Sequence, residues 1–196
     1  MPDASGRPMR ADAQRNYDRL LEEAVRAFAN GGDDDVALEG IAKSAGVGIG
    51  TLYRHFPTRE ALVDAAYRHE LVDLCNAVSG LLESLPADEA TRTWMDHFID
   101  YMNTKRYMAG ALRAVIASGA NPFAESRGRL IAAITTLLDA GAAAGVLRSD
   151  LDPDDVLVAL SGVSLAAGAP AQREQAGRLL DLLVEGLRPH AAASIG

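Results

Sequence analysis

The sequence predicts an all-α protein of about nine helices, on three observations. Hydrophobic residues make up 48% of the chain but aromatic residues only 5%, a balance typical of helices that pack through alanine and leucine. Apolar residues recur at helical spacing from Tyr17 to Leu187, whereas no segment shows the alternation of a half-buried strand. Glycine and proline divide these patterns into separate helices.

The first two predicted helices follow a polar N-terminal arm that ends near Arg10. Apolar positions at helical spacing run from residue 17 to residue 28, and Gly31-Gly32 supplies the C-cap. The second helix runs from Leu38 to Ala45 and ends at Gly46, a residue suited to the left-handed conformation that reverses the chain.

The third predicted helix runs from Ile49 to Phe56 and stops at Pro57, which cannot continue it. Thr58 can cap a long fourth helix over residues 58–83, because its hydroxyl can accept a bond from an unpaired N–H of the first turn.

Five further helices are predicted beyond residue 86. Asn121-Pro122 favours a helix start, since a capping residue precedes a proline at the first helical position. Asp152-Pro153 favours another, and two further carboxylates there complement the positive end of the helix. Pro170 separates that helix from a leucine-rich last one.

Composition excludes several classes of protein. A formal net charge of −8 argues against a chain that coats nucleic acid over its whole surface, but it permits a local DNA-binding face. Cys75 is the only cysteine, so the chain has neither an internal disulfide nor a multi-cysteine metal site. No apolar run reaches the ~18 residues that a membrane span needs. We therefore expect a cytoplasmic protein that makes no membrane contact.

The stretch AGVGIGTLYRHF, which follows Ser44, combines glycines with many hydrogen-bonding side chains. Two short helices joined by a glycine-bearing turn fit the helix-turn-helix pattern, whose second helix enters the major groove of DNA. Polar side chains of the second helix can offer donors to phosphates or base edges, while Leu52 and Phe56, four residues apart, face the core. An ordinary helical hairpin remains the alternative on spacing alone.

The longer segment IAKSAGVGIGTLYRHFPTREALV resembles the signature of the TetR family of bacterial transcription regulators. GVLRSDLDPDDV, further along, is similar to a segment in one branch of the family's C-terminal domains. The resemblance implies a three-helix DNA-binding domain at residues 1–57, with an arm at 1–10. It also implies a ligand-binding and dimerising domain at residues 58–196, with helix four (58–83) linking the two.

The resemblance further implies a ligand-responsive repressor that binds a palindromic operator in double-stranded DNA as a homodimer. Thr51, Tyr53 and His55 match family positions that contact the DNA backbone or nearby bases, and Arg59 stands where a lysine usually meets a phosphate. The expected DNA-binding residues are Lys43, Gly48, Ile49, Gly50, Thr51, Tyr53, Arg54, His55 and Arg59.

Two residues depart from the family's pattern. Ala37 occupies the place where Ser or Thr commonly caps helix two, so Asp35 is the alternative cap. Gly48 replaces a frequent serine and offers only its backbone N–H. Between residues 36 and 59, three cations oppose one carboxylate, so the predicted DNA-binding face is locally positive.

A dimer is expected because one helix-turn-helix reads too few bases to be selective. The last two long helices are the candidate interface, although the same faces could complete the monomer core. The candidate interface residues are Leu157, Leu160, Val163, Ala167, Leu179 and Leu183.

The middle helices are the expected place of a pocket for a small-molecule effector. Soft and aromatic side chains favour such a lining, although a place in the plain core explains each of them at least as well. His97 and Cys75 are candidate polar contacts, and the lack of an arginine cluster favours an apolar or neutral compound. The candidate pocket residues are Trp94, Phe98, Tyr101, Met102, Tyr107, Met108, Leu112 and Phe123.

Two other classes of function compete with a DNA-binding regulator. A helical dimeric interaction module without DNA binding would show the same helices. An enzyme is disfavoured, because the four histidines lie in different elements and the chain has no HExxH, CxxC or phosphate-binding GxxxxGK[ST] motif. We expect no cofactor, no metal and no catalytic residue.

Overall fold

The computed structural model describes residues 6–30, 36–167 and 169–189, and all regular structure in these residues is helical, as predicted. Within them, no helix combines the length and apolar character needed to cross a membrane. A short 3-10 turn, Pro170–Gln172, precedes the last helix. The α-helices of the described residues are α1 (Gly6–Asn30), α2 (Leu38–Ser44), α3 (Ile49–His55), α4 (Arg59–Ser84), α5 (Ala87–Tyr107), α6 (Ala109–Ala117), α7 (Ser126–Ala143), α8 (Pro153–Ala167) and α9 (Arg173–Leu187).

The chain forms two compact units. The first unit comprises residues 1–70 and 104–122, and the second comprises residues 71–103 and 123–196. The division falls inside α4 and inside α5, so each of these helices contributes to both units. The functional division at residue 57 stays a prediction.

The first unit has a small aliphatic and aromatic core. Within this unit α1 packs against α2, and α2 packs against α3. Burial of these apolar side chains stabilises short helices that would be marginal in isolation. The largest buried side chains here include Leu20, Leu21, Phe28, Ile41, Leu52, Phe56, Leu62 and Tyr67.

The second unit is a helical bundle in which α7 packs against α8 and α8 against α9. The indole Nε1 of the buried Trp94 donates to the Leu74 carbonyl at 2.9 Å, which joins α5 to α4 within this unit. Arg92 joins α5 to α9, since it donates to Asp181 Oδ1 at 2.7 Å and to the Gly177 carbonyl at 3.1 Å. These bonds satisfy polar groups that the apolar packing alone would leave unpaired.

Two predicted helix starts are confirmed by their capping bonds. The Ala61 N–H donates to Thr58 Oγ1 at 3.1 Å at the start of α4. The Asp154 N–H donates to Asp152 Oδ1 at 2.8 Å at the start of α8. In each case a side-chain oxygen satisfies an N–H that has no partner inside the helix.

The predicted helix start at Asn121-Pro122 is wrong. α7 begins at Ser126, and residues 122–125 form a turn in which the Ser126 N–H donates to the Phe123 carbonyl at 3.1 Å. The proline therefore introduces a tight turn that precedes the helix, a position that its fixed φ also favours.

The N-terminal boundaries are partly described. α1 begins at Gly6, inside the stretch predicted as an arm over residues 1–10. The predicted C-cap at Gly31-Gly32 and the alternative cap Asp35 lie outside the described residues.

Charge is divided unequally between the two units. The first unit contains twelve Lys and Arg against twelve Asp and Glu, and the second contains seven against fifteen. The whole net charge of −8 therefore belongs to the second unit. Three of the first unit's cations, Lys105, Arg106 and Arg113, come from residues 104–122, which include no carboxylate side chain.

Candidate nucleic-acid interface

The turn between α2 and α3 depends on Gly46, whose φ is +70°. The Gly46 N–H donates to the Lys43 carbonyl at 3.1 Å, and the Val47 N–H donates to the Ala42 carbonyl at 2.9 Å. This pair of bonds is a Schellman motif, which satisfies the last carbonyls of α2 and reverses the chain. A residue with a Cβ would be strained there, so the expected role of this glycine is confirmed.

α3 turns one face into the core and the other towards solvent. Leu52 and Phe56 are buried, as their spacing predicts, whereas Tyr53 is 47% exposed and Arg54 is exposed. Thr51 and His55 are half-buried at the edges of the outward face. Burial of Leu52 on this seven-residue helix and of Phe56 at its C-cap fixes which side chains the helix can present to a partner.

His55 belongs to an aromatic cluster that joins α3 to α1. Its ring meets the Tyr17 ring edge-on, with centroids 5.6 Å apart, and Tyr17 also packs against Phe56 at 5.1 Å. Such pairs contribute about 0.5–1.5 kcal/mol beyond their buried area. His55 therefore holds the end of α3 in place as well as bordering its exposed face.

Arg59 is half-buried and is engaged within the first unit. Its Nη1 donates to the Val36 carbonyl at 2.6 Å, and its guanidinium lies 4.8 Å above the centre of the Phe28 ring. The guanidinium thus ties the start of α4 to α1 and to the segment before α2. A phosphate contact would have to use the other nitrogens of the fork.

Gly48, Ile49 and Gly50 form the start of α3. An added Cβ at either glycine would meet no atom within 4 Å, so packing inside the chain does not require glycine at these positions. Ile49 is half-buried. Ala37, which precedes α2, provides no side-chain cap.

Three exposed residues on α2 and α3 are accessible to a binding partner. Lys43, Tyr53 and Arg54 are exposed, and none of their side chains has a hydrogen bond or ion pair to another residue in the described ranges. Two cations and a phenol on neighbouring helices are suited to phosphate oxygens and base edges.

The candidate pocket residues are divided between the two units. In the second unit Trp94, Phe98 and Tyr101 are buried, and their rings pack in sequence at tilted angles, with centroids 6.0 and 6.3 Å apart. Around Trp94 the packing of α5, α7 and α8 leaves no room for a water molecule. The other candidate pocket residues of the second unit, Met102 and Phe123, are half-buried. In the first unit Met108 and Leu112 are buried, and Tyr107 is exposed.

The two candidate polar contacts also lie in the second unit. His97 is exposed on α5, and Cys75 is half-buried beside a groove between α4 and α7. Burial raises the pKa of the Cys75 thiol, although the nearby Arg129 opposes that change.

The candidate interface residues differ in burial. Leu157, Leu160 and Ala167 are buried within the chain, whereas Val163, Leu179 and Leu183 are half-buried. The exposed large apolar side chains on α8 and α9 are instead Val158, Leu165 and Leu182. The sequence does not single out Val158 or Leu165, because α8 is apolar around most of its circumference and its periodicity does not mark an outer face. Leu182 lies within the leucine-rich last helix that is expected to contribute to the interface.

Family models of TetR regulators match most of the chain. A model described as bacterial regulatory proteins of the tetR family matches residues 20–66, and a model described as the C-terminal domain of SbtR-like transcriptional regulators matches residues 86–189. The second model alone covers more than half of the chain.

Solved structures and curated proteins show the same similarity. A TetR transcriptional regulator from Streptomyces coelicolor is 55% identical, with a TM-score of 0.85 over 89% of this chain and 99% of that one. A TetR transcription regulatory protein from Mycobacterium vanbaalenii is 29% identical, with a TM-score of 0.75 over 93% of this chain and 100% of that one.

An HTH-type transcriptional regulator of Staphylococcus aureus strain USA300 is 43% identical over 54 residues, or 28% of this chain and 29% of that protein. The chain thus matches less than a third of the length of this curated relative. The resemblance seen in the helix-turn-helix motif is confirmed, and the family is one of regulators and not of enzymes. With both family models and a full-length structural relative in agreement, the chain belongs to the TetR family of DNA-binding transcriptional regulators.

Proposed function

We propose that this regulator is a ligand-responsive repressor that binds a palindromic operator as a homodimer, with α3 of each copy in the major groove. The outward face of α3 carries the proposal. Tyr53 and Arg54 project from a helix that Leu52 and Phe56 fix against the core, so the exposed side chains are held in place before a partner arrives.

The division of charge supports the first unit as the side that meets DNA. A duplex is repelled by the second unit, with its net charge of −8, but not by the neutral first unit. Near the motif, Lys43 and Arg54 supply exposed positive charge that can displace counterions from phosphates.

A symmetric pairing through α8 and α9 would bury the exposed leucines. Leu165 is 85% exposed and Leu182 is 71% exposed, which is costly for leucines in water. Two copies related by a two-fold axis would bury both patches in one closed interface. The dimer would hold two copies of α3 about one helical turn of DNA, roughly 34–36 Å, apart.

An effector would act by a shift of population. Such a ligand would prefer a conformation in which the distance between the two copies of α3 does not match the operator. It would weaken operator binding by the difference between its binding free energies for the two conformations, typically ~1–3 kcal/mol.

Selection of bound sites from a random DNA pool tests the proposal, because it tests DNA binding, two-fold symmetry and half-site spacing together. In a gel shift on the selected site, Tyr53→Ala should weaken binding at least tenfold, a loss of about 1.4 kcal/mol. The matched control is Tyr107→Ala, a tyrosine of similar exposure on α5, which should stay within about twofold of the parent.

Circular dichroism and sedimentation should show unchanged helicity and mass for both variants. Selected sites without a palindrome would contradict binding to DNA as a symmetric dimer. Equal binding by Tyr53→Ala and the parent would remove α3 as the contact surface.

A further inference from the structure

Two surface grooves in the second unit differ in charge. The groove between α5 and α9, about 350 Å³, is lined by four carboxylates and two arginines. Both arginines are already paired there, Arg92 with Asp181 and Arg188 with Asp88. The groove between α4 and α7, about 330 Å³, is lined by Cys75, Val78, Ser79, Arg129, Ala132, Ala133 and Thr136.

The α4–α7 groove has a cation as the one charged side chain of its described lining. Arg129 is the only charged side chain among the described residues that line it. The Arg129 side chain is 48% exposed, and its Nε and Nη2 donate to Glu125 Oε2 at 3.2 and 2.7 Å, which leaves Nη1 for a further acceptor. A guanidinium can bind a second carboxylate through the unused part of its fork.

The rest of the groove combines an apolar floor with a polar rim. Val78 and Ala133 are buried, while Ser79 and Thr136 are exposed at the edge. Thr136 Oγ1 donates to the Ala132 carbonyl at 3.0 Å, so it can only accept a further bond, whereas the Ser79 hydroxyl can donate one. A cation, a donor and an apolar floor are complementary to a carboxylate with a short hydrocarbon tail.

We propose that this groove binds a small aliphatic monocarboxylate, with its carboxylate at Arg129 and its tail over Val78 and Ala133. A water molecule occupies about 30 Å³, so a groove of this volume holds roughly ten non-hydrogen atoms, the size of a six- to eight-carbon acid. The sequence favours an apolar or neutral effector, because it does not show that α7 places Arg129 beside α4. This acid would be the effector of the repressor proposed above. Only its role as an effector rests on that proposed function, and its binding to the groove does not.

Alkylation of Cys75 by iodoacetamide provides a local readout, since Cys75 lines the groove and is the only cysteine. Mass spectrometry would follow the rate of Cys75 alkylation in the presence of hexanoate or hexylamine at equal concentration. We expect saturating hexanoate to slow alkylation at least tenfold, whereas hexylamine should leave the rate unchanged. Equal protection by hexanoate and hexylamine would overturn the proposal.

Two arginine variants separate binding from folding. Arg129→Gln should abolish the protection by hexanoate, and Arg129→Lys should retain part of it. Arg127→Gln is the matched control, because Arg127 lies on the same helix, pairs with Asp154 and does not line the groove. Protection that persists in Arg129→Gln at an unchanged melting temperature would refute the assignment.

Operator binding distinguishes this proposal from the proposed function. Hexanoate should weaken operator binding by the parent protein but not by Arg129→Gln. Protection of Cys75 with unchanged operator affinity would support the binding site and overturn its role as the effector site. Failure to bind any operator in the absence of hexanoate would count against the proposed function and not against the groove.

Discussion

Gly141, on α7, shows how a single missing methyl group shapes the second unit. A Cβ at this position would lie 2.3 Å from Leu147 Cδ1 and 2.9 Å from Leu147 Cβ, far inside normal contact. The Val146 and Leu147 N–H groups both donate to the Gly141 carbonyl, and Gly145 has a φ of +70°. The end of α7 therefore folds back onto its own helix and buries Leu147.

Gly141→Ala should destabilise the protein by about 1–3 kcal/mol, because the new methyl group forces Leu147 and its backbone to move. Gly80→Ala on α4 is the matched control, since a Cβ there meets no atom within 4 Å, and alanine should stabilise that helix by roughly 0.5–1 kcal/mol. Urea unfolding measures both. A Gly141→Ala protein as stable as the parent would show that the α7 turn relaxes freely.

At the scale of elements, the sequence predicts the helices of the helix-turn-helix and the capping bonds of Thr58 and Asp152, because the decisive interactions lie within a few residues. It fails where the partner is distant. The carbonyl that holds Arg59 belongs to Val36, 23 residues earlier. The Arg59 guanidinium also lies over the Phe28 ring of α1, so it connects α4 with α1, while its contact with a phosphate stays a prediction.

Arg59→Ala should lower the free energy of unfolding by about 1–3 kcal/mol without any DNA present, because a half-buried carbonyl loses its charged donor and Phe28 loses its cation. Arg54→Ala should leave stability within about 0.5 kcal/mol and weaken operator binding, since the Arg54 side chain is exposed and makes no hydrogen bond or ion pair within the described chain. Thermal unfolding and gel shifts separate the two effects. If both variants were equally stable, the contacts of Arg59 would not contribute to the free energy of unfolding.

At the scale of the whole molecule, the sequence predicts a two-part helical regulator but not which apolar residues stay outside. α8 is apolar around most of its circumference, and α9 has neighbouring leucines at several angles, so only packing decides between core and surface. Likewise, no local pattern assigns residues 104–122, with their three cations, to the same unit as α1–α3.

Leu165→Asp should convert the proposed dimer to a monomer, because two carboxylates would face each other across the two-fold axis. Folding should be unchanged, since Leu165 is 85% exposed in the isolated chain. Ile116→Asp on α6, an exposed aliphatic residue in the first unit, is the control and should remain dimeric. Sedimentation at micromolar concentration distinguishes the outcomes, and a Leu165→Asp dimer would place the interface elsewhere.

The first unit is built from two stretches of chain that are separated by 33 residues of the other unit. A chimera made by joining two homologous genes at a single crossover cannot transplant it whole. Breakpoints after Glu70, Asn103 and Pro122 are all needed, and the first two fall within continuous helices. A chimera joined at the end of α4 would take α1–α3 from one parent and α6 from the other. The first unit of such a hybrid would lack part of its own packing.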